Sequence, residues 1–153
     1  MNPELRDIRG VLIQTGTARL LLPNATISEV LSYADPEPVE NPEPWLLGRI
    51  RWRGWRLPLV AFGPLSGLGA EQGDIGSKVL VLKTLGGDPA LPYFALLTRG
   101  FPRLVTVSRD ALAAEEGEVP TGAKARVRFN DETAFIPDID GIESAIRRTL
   151  LAA

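Results

Sequence analysis

The chain of 153 residues contains no cysteine and no histidine. The first absence excludes disulfides, a thiolate nucleophile and any cysteine-based metal site. The second removes the commonest general base and the commonest metal ligand. Long apolar runs are missing too, since "VLVL" and "FALL" are far too short to cross a bilayer. The opening "MNPELRDIRG" is charged and has no apolar stretch of signal-peptide length. A soluble, cytoplasmic protein without membrane insertion is expected. Nor does one sign of charge dominate. A formal net charge of −2 and a pI near 5.2 argue against whole-surface attraction to phosphate or anionic lipid.

What the sequence does hold is ordinary in bulk. A hydrophobic fraction of 44% and a charged fraction of 24% are those of a soluble globular protein. The length suits one domain over residues 1–153, with a core of real size. Glycine (15) and proline (13) cut the chain into short apolar segments.

"VLIQT" (Val11 to Thr15) and "ARLLLP" (Ala18 to Pro23) flank Gly16-Thr17 and read as a hairpin. "NATISEVLSYA" is ambiguous. Ile27, Val30 and Leu31 have helical spacing with Asn24 as a possible cap, and a short turn leading into a strand fits equally well. "DPEPVENPEP" is an extended, ordered loop, because proline fixes φ and donates no backbone hydrogen bond. "RIRWR" and "WRLPLVAF" follow as strands around Gly54, and a flexible glycine-rich loop covers Gly63 to Gly76. "KVLVLKTL", "YFALLTRG" and "RLVTVS" are strands, and "GGDPALP" is a turn. "RDALAAEEG" has helix formers for about two turns. "ARVRFNDETAFIPD" is a hairpin around Asn130-Asp131. In "IDGIESAIRRTLL", Ile139, Ile142, Ile146 and Leu150 line one face of a closing amphipathic helix. Many short strands and one terminal helix make the fold class all-β, a barrel or sandwich.

The stretch "RIRWRGWRLPLVAF" (Arg49 to Phe62) puts four arginines and two tryptophans into its first eight residues. Ile50 and Trp52 point to one face, and Arg49, Arg51 and Arg53 to the other. After Gly54, Leu57, Leu59 and Ala61 share one face while Val60 and Phe62 share the opposite one. A strand apolar on both sides is one buried between two layers. Pro58 is then expected at an edge or bulge. A strand pair whose solvent face simply uses arginine is the bland reading, and a turn arginine anchoring a protein partner is the sharper one. Arginine beside aromatic rings also suits nucleic acid, but Asp35, Glu37, Glu40 and Glu43 balance Arg49, Arg51, Arg53 and Arg56. Phosphate is therefore disfavoured as the partner.

At this hairpin the sequence resembles the CheW-like domain of bacterial chemosensory adaptors. The matching pieces are Glu29-Val30-Leu31, the proline loop, Trp45-Leu46-Leu47-Gly48, Ile50-Arg51-Trp52-Arg53-Gly54, Leu57-Pro58-Leu59-Val60 and the closing "FIPDIDGI". The resemblance runs along nearly the whole chain. It implies two packed SH3-like β-barrels with a C-terminal helix and no catalytic residues or cofactor. It also implies an adaptor that bridges chemoreceptor tips to a CheA-type histidine kinase. The family's characteristic arginine falls on Arg53, and the implied partner-binding set is Arg53, Gly54, Arg51, Trp55, Val30 and Val60. Two positions depart from the pattern: Arg51 stands where asparagine is usual, and Ala61 where aspartate is usual. These departures point to a divergent branch such as the adaptors controlling type IV pili and twitching motility.

Other constellations carry less. Asp138 and Asp140, at a helix start, are explained by capping and the helix dipole rather than by a metal or acid–base site. "GPLSGLGAEQGDIG" lacks the lysine–serine/threonine ending of a phosphate loop. Lys78 and Lys83 have no catalytic setting. The chain is not expected to be an enzyme or to hold a metal. The alternative function is a nucleic-acid-binding β-barrel that uses Arg49, Arg51, Trp52 and Trp55.

Overall fold

The computed structural model describes residues 7–40 and 43–150, which form eleven strands and two helices. One sheet has six strands in the order β8-β1-β2-β11-β10-β9. These are β1 (Ile8–Gln14), β2 (Arg19–Pro23), β8 (Arg103–Val107), β9 (Leu112–Ala114), β10 (Ala123–Phe129) and β11 (Glu132–Pro137). The other has five, in the order β3-β6-β7-β5-β4. It is built from β3 (Ile27–Ser32), β4 (Leu46–Trp52), β5 (Trp55–Val60), β6 (Ser77–Lys83) and β7 (Tyr93–Arg99). Pairing is antiparallel except for the short β2–β11 and β5–β7 contacts. The fold is the expected all-β pair of SH3-like barrels with a C-terminal helix, α2 (Ile139–Leu150).

In each sheet a connecting segment links the two outer strands. In the five-stranded sheet the chain leaving β3 returns to β4 at Glu37, which exchanges two backbone hydrogen bonds of 2.8 Å with Arg49. In the six-stranded sheet a four-residue connection leads from edge strand β8 to the opposite edge strand β9.

Side-chain alternation divides the apolar residues into three clusters. Trp52, Leu57, Leu59, Val79, Val81, Ala95 and Leu97 fill the five-stranded barrel. Leu12, Leu21, Val107, Val127, Phe129 and Ala134 fill the six-stranded one. The opposite faces of the same strands, including Ile13, Leu20, Val60, Leu80, Phe94 and Leu96, pack between the barrels and against Ile139, Ile142 and Ile146 of α2. Strands β1, β2, β5, β6 and β7 are thus covered on both sides. This explains their near-continuous apolar sequences.

Local chemistry sets the boundaries. Asn130 and Asp131 take left-handed φ values of 47° and 67° in the two-residue turn between β10 and β11, where asparagine and aspartate fit well. The Asp138 carboxylate accepts the Gly141 N–H at 3.1 Å and caps α2, as its position suggested. "NATISEVLSYA" resolves into a single 3-10 turn, Asn24–Thr26, followed by β3, with no side-chain cap from Asn24.

Three expectations need correction. "RDALAAEEG" is not a helix: Leu112–Ala114 pairs with β10, because an edge of the six-stranded sheet takes the segment. The Gly63 to Gly76 stretch is not a freely flexible loop. It begins within the short helix α1 (Phe62–Ser66), and Glu71 ties it down by accepting the Gly63 N–H at 2.7 Å and the Thr17 hydroxyl at 3.0 Å. Pro58 is not on an edge strand, since β5 lies between β7 and β4, but the β4–β5 register does shift between Leu46 and Gly48, beside its partner Arg49. The ladder to β7 covers only Leu59 and Val60, so Pro58 lies just before it and interrupts no bond there.

Candidate protein-interaction surface

The β4–β5 hairpin closes through Arg53 and Gly54, with φ values of 49° and 82°. Both are left-handed, as a primed two-residue turn requires. Glycine accepts this freely. Arginine does not, and its Cβ makes the conformation cost on the order of 1 kcal/mol.

The strained residue is also pinned. Arg53 Nη2 donates to Glu29 Oε1 at 3.0 Å, and the guanidinium carbon lies 4.8 Å from the centre of the Trp52 ring. The same Glu29 oxygen accepts the Trp52 indole N–H at 3.1 Å. Trp52 itself points inward and meets Tyr93 edge-to-face at 4.9 Å. Leu59 is buried in the same cluster, farther along β5 from the turn. The Arg53 side chain nevertheless remains 70% exposed. An arginine held at a fixed angle, with most of its surface open, is preorganised for a planar acceptor.

Farther down the hairpin, Arg51 and Arg56 face each other across the strands. Like charges directly opposite are unfavourable. Glu37 relieves this by accepting from Arg51 at 3.0 Å and from Arg56 at 3.4 Å. The Arg51 hydrogen bond and the charge of both arginines hold the Glu37 carboxyl below the usual carboxylate range. Among the described residues, Arg49 is the one arginine of this hairpin with no ion-pair partner.

The sequence-derived site residues separate here. Arg53 and Gly54 form the exposed tip, with Arg51 and Trp55 exposed on the strands beside it. Val30 lies on β3 opposite Leu80 and is half-buried against the core between the barrels. Val60 is wholly buried in that same core, so its expected place on a partner surface is corrected: alternation along β5 turns it inward. Trp52 is also buried, which removes it as a base-stacking platform for nucleic acid.

An apolar surface that the sequence reading missed lies on the face shared with Val30. Phe101 is 73% exposed, and Leu104, on edge strand β8, is 71% exposed. Lys78, two positions before Leu80 on β6, sits over the Phe101 ring at 4.6 Å. Val105 and Val107 fill the barrel while Leu104 points out. Period-two patterning marked the strand, but both of its faces carry aliphatic residues.

A family model for the CheW-like domain matches residues 9–146. The chain belongs to the CheW-like domain family. Its members are non-enzymatic chemosensory adaptors, and this chain is a CheW-like adaptor domain. Among solved structures it is similar to the crystal structure of scaffolding protein TtCheW from Thermoanaerobacter tengcongensis, at 12% sequence identity and a TM-score of 0.72. That match covers 88% of this chain and 86% of the other, and it establishes the shared fold. No curated protein matches the sequence. Among the described residues, no helix of this CheW-like domain is long and apolar enough to cross a membrane.

Proposed function

We propose that this CheW-like domain is a cytoplasmic adaptor that couples chemoreceptor tips to a CheA-type histidine kinase. Its two barrels are joined by a shared apolar core. The supporting observation is Arg53, a non-glycine residue in a left-handed turn, fixed by Glu29 and Trp52 and left open to solvent. Strain persists where surrounding contacts enforce it, and such positions cluster at binding and switching sites. Arg51, Gly54 and Trp55 extend the contact along the hairpin, and Val30 joins it to the face carrying Phe101 and Leu104. In place of the family's usual asparagine and aspartate, Arg51 and Ala61 favour the branch that controls type IV pili.

The test is a titration of the purified domain with the CheA-type kinase and a receptor-tip fragment from the same genome. Truncating an anchor of this kind costs about 2 kcal/mol or more, roughly thirtyfold in affinity. Arg53→Ala is therefore expected to weaken at least one of the two complexes by that factor with the melting temperature almost unchanged. Equal affinity of wild type and variant for both partners refutes the anchor.

A further inference from the structure

Beside the hairpin, on the side of α2, lies a recess that shares only Trp55 with the proposed adaptor surface. Its apolar part, of about 90 Å³, is lined by Trp55, Leu57, Pro58, Leu91, Tyr93 and Leu150 among others. A cavity of roughly 150 Å³ takes a benzene ring, so this part suits one branched aliphatic side chain. It opens toward a polar recess of about 300 Å³ that shares Arg49, Arg56 and Leu150 with it.

The charge around the two recesses is one-sided. Arg49, Arg56 and Arg147 line them, and Glu40 is the one carboxylate among the described lining residues. Arg49 has no ion-pair partner among the described residues, although its backbone is fixed by both hydrogen bonds to Glu37. Arg56 reaches Glu37 only at 3.4 Å, and Arg51 holds that carboxylate more closely. Arg147 approaches Glu143 only at 3.9 Å, and the Glu143 carboxylate is already occupied by the N–H groups of Leu85 and Gly86. Three guanidiniums therefore have donors to spare around an apolar slot. Trp55 is 41% exposed.

We propose that this recess docks an acidic protein segment carrying one branched aliphatic side chain between carboxylates. The side chain enters the slot under Trp55 and Leu150. The carboxylates take the free donors of Arg49 and Arg147, which match carboxylate geometry two bonds at a time. Nucleic acid fits less well, because the slot is too small for a base.

The probe is the peptide Ac-Glu-Asp-Leu-Asp-Glu-NH2, titrated into the isotope-labelled full chain and followed by amide and indole NMR shifts. Saturable shifts confined to Trp55, Tyr93 and Leu150 are expected. They should be lost with the same peptide carrying serine for leucine. Binding should weaken on the order of fivefold in Arg49→Gln, with the remaining spectrum unchanged to show that the variant is folded. Arg53→Ala should leave peptide binding intact, which separates this site from the hairpin tip. The absence of shifts at millimolar peptide, or equal shifts with the serine peptide or in Arg49→Gln, overturns the proposal. So does a single-stranded oligonucleotide that moves the same signals more strongly than the peptide.

Discussion

Among the described residues, Glu143 is the one buried carboxylate. It lies on α2, fully buried, and accepts the Leu85 N–H at 2.8 Å and the Gly86 N–H at 3.0 Å. In this way it fastens the β6–β7 connection to the helix. A hydrogen bond to a charged group contributes roughly 1.5–3 kcal/mol, so two would set an upper bound near 6 kcal/mol for Glu143→Ala. Leu85 and Gly86 are themselves exposed, however, and their freed N–H groups can turn to water. The loss should therefore fall to about 2–4 kcal/mol. At roughly 2–4 °C per kcal/mol for a chain of this size, the melting temperature drops by about 4–16 °C. Glu143→Gln keeps one acceptor oxygen and should recover around half. Urea unfolding followed by tryptophan fluorescence measures the stability, and hydrogen exchange at Leu85 and Gly86 localises it. A Glu143→Ala variant within about 0.5 kcal/mol of wild type would refute the reasoning.

Three further outcomes follow from the geometry. Trp52→Ala removes the floor of the hairpin and should cost roughly 3–5 kcal/mol by calorimetry, a large part of the about 5–15 kcal/mol that holds a domain together. Gly48 has a φ of 144°, and a Cβ there would collide with the Glu37 carbonyl, so Gly48→Ala should break the Glu37–Arg49 closure and cost about 2 kcal/mol or more in urea unfolding. Glu37 is held below the usual carboxylate range first by its hydrogen bond from Arg51, and Glu115 first by the Thr133 hydroxyl and then by Arg126. Both have folded values below the unfolded one of about 4.3, so their stabilisation is complete above that pH and disappears as pH falls through the folded values. Melting curves from pH 6 to 3 should show the loss in the acid limb, and an acid limb unchanged in Glu115→Gln contradicts it.

Much of this fold was legible because several local signals agreed. The stripe Ile139, Ile142, Ile146 and Leu150, the Asn130-Asp131 turn and the two-sided apolar strand Leu57–Val60 each pointed to one outcome. The misreadings arose where a weak local preference met tertiary demand. Ala111 to Glu116 favours helix by a few tenths of a kcal/mol per residue, and pairing of Leu112–Ala114 with β10 overrides that. Helix α1 was hidden by Gly63, Pro64 and Gly67, although proline is tolerated in a first turn. The hairpin tip could be read from its arginine and glycine. Its pinning partner Glu29 could not, since it lies 24 residues away and reaches Arg53 only when β3 and β4 share a barrel. The burial of Val60 was implicit in the alternation along β5, and the resemblance to a family carried it onto the partner list instead.

The two surfaces share Leu57 and Tyr93 of the Trp52 cluster but differ in their dependence on α2. Arg53 rests on Trp52, which packs inside the five-stranded barrel and has no contact with α2 in its cluster. The recess is walled by Leu91, Pro92, Ile146 and Leu150, and its geometry depends on α2 and on the connection that Glu143 fastens. Loosening that connection should blur the recess and leave the hairpin tip in place. A Glu143→Gln domain that remains folded should therefore lose affinity for the acidic peptide and keep its Arg53-dependent complex. If both affinities fell together in proportion to the lost stability, the barrels and the helix would form one cooperative binding unit, and the division drawn from the clusters would be wrong.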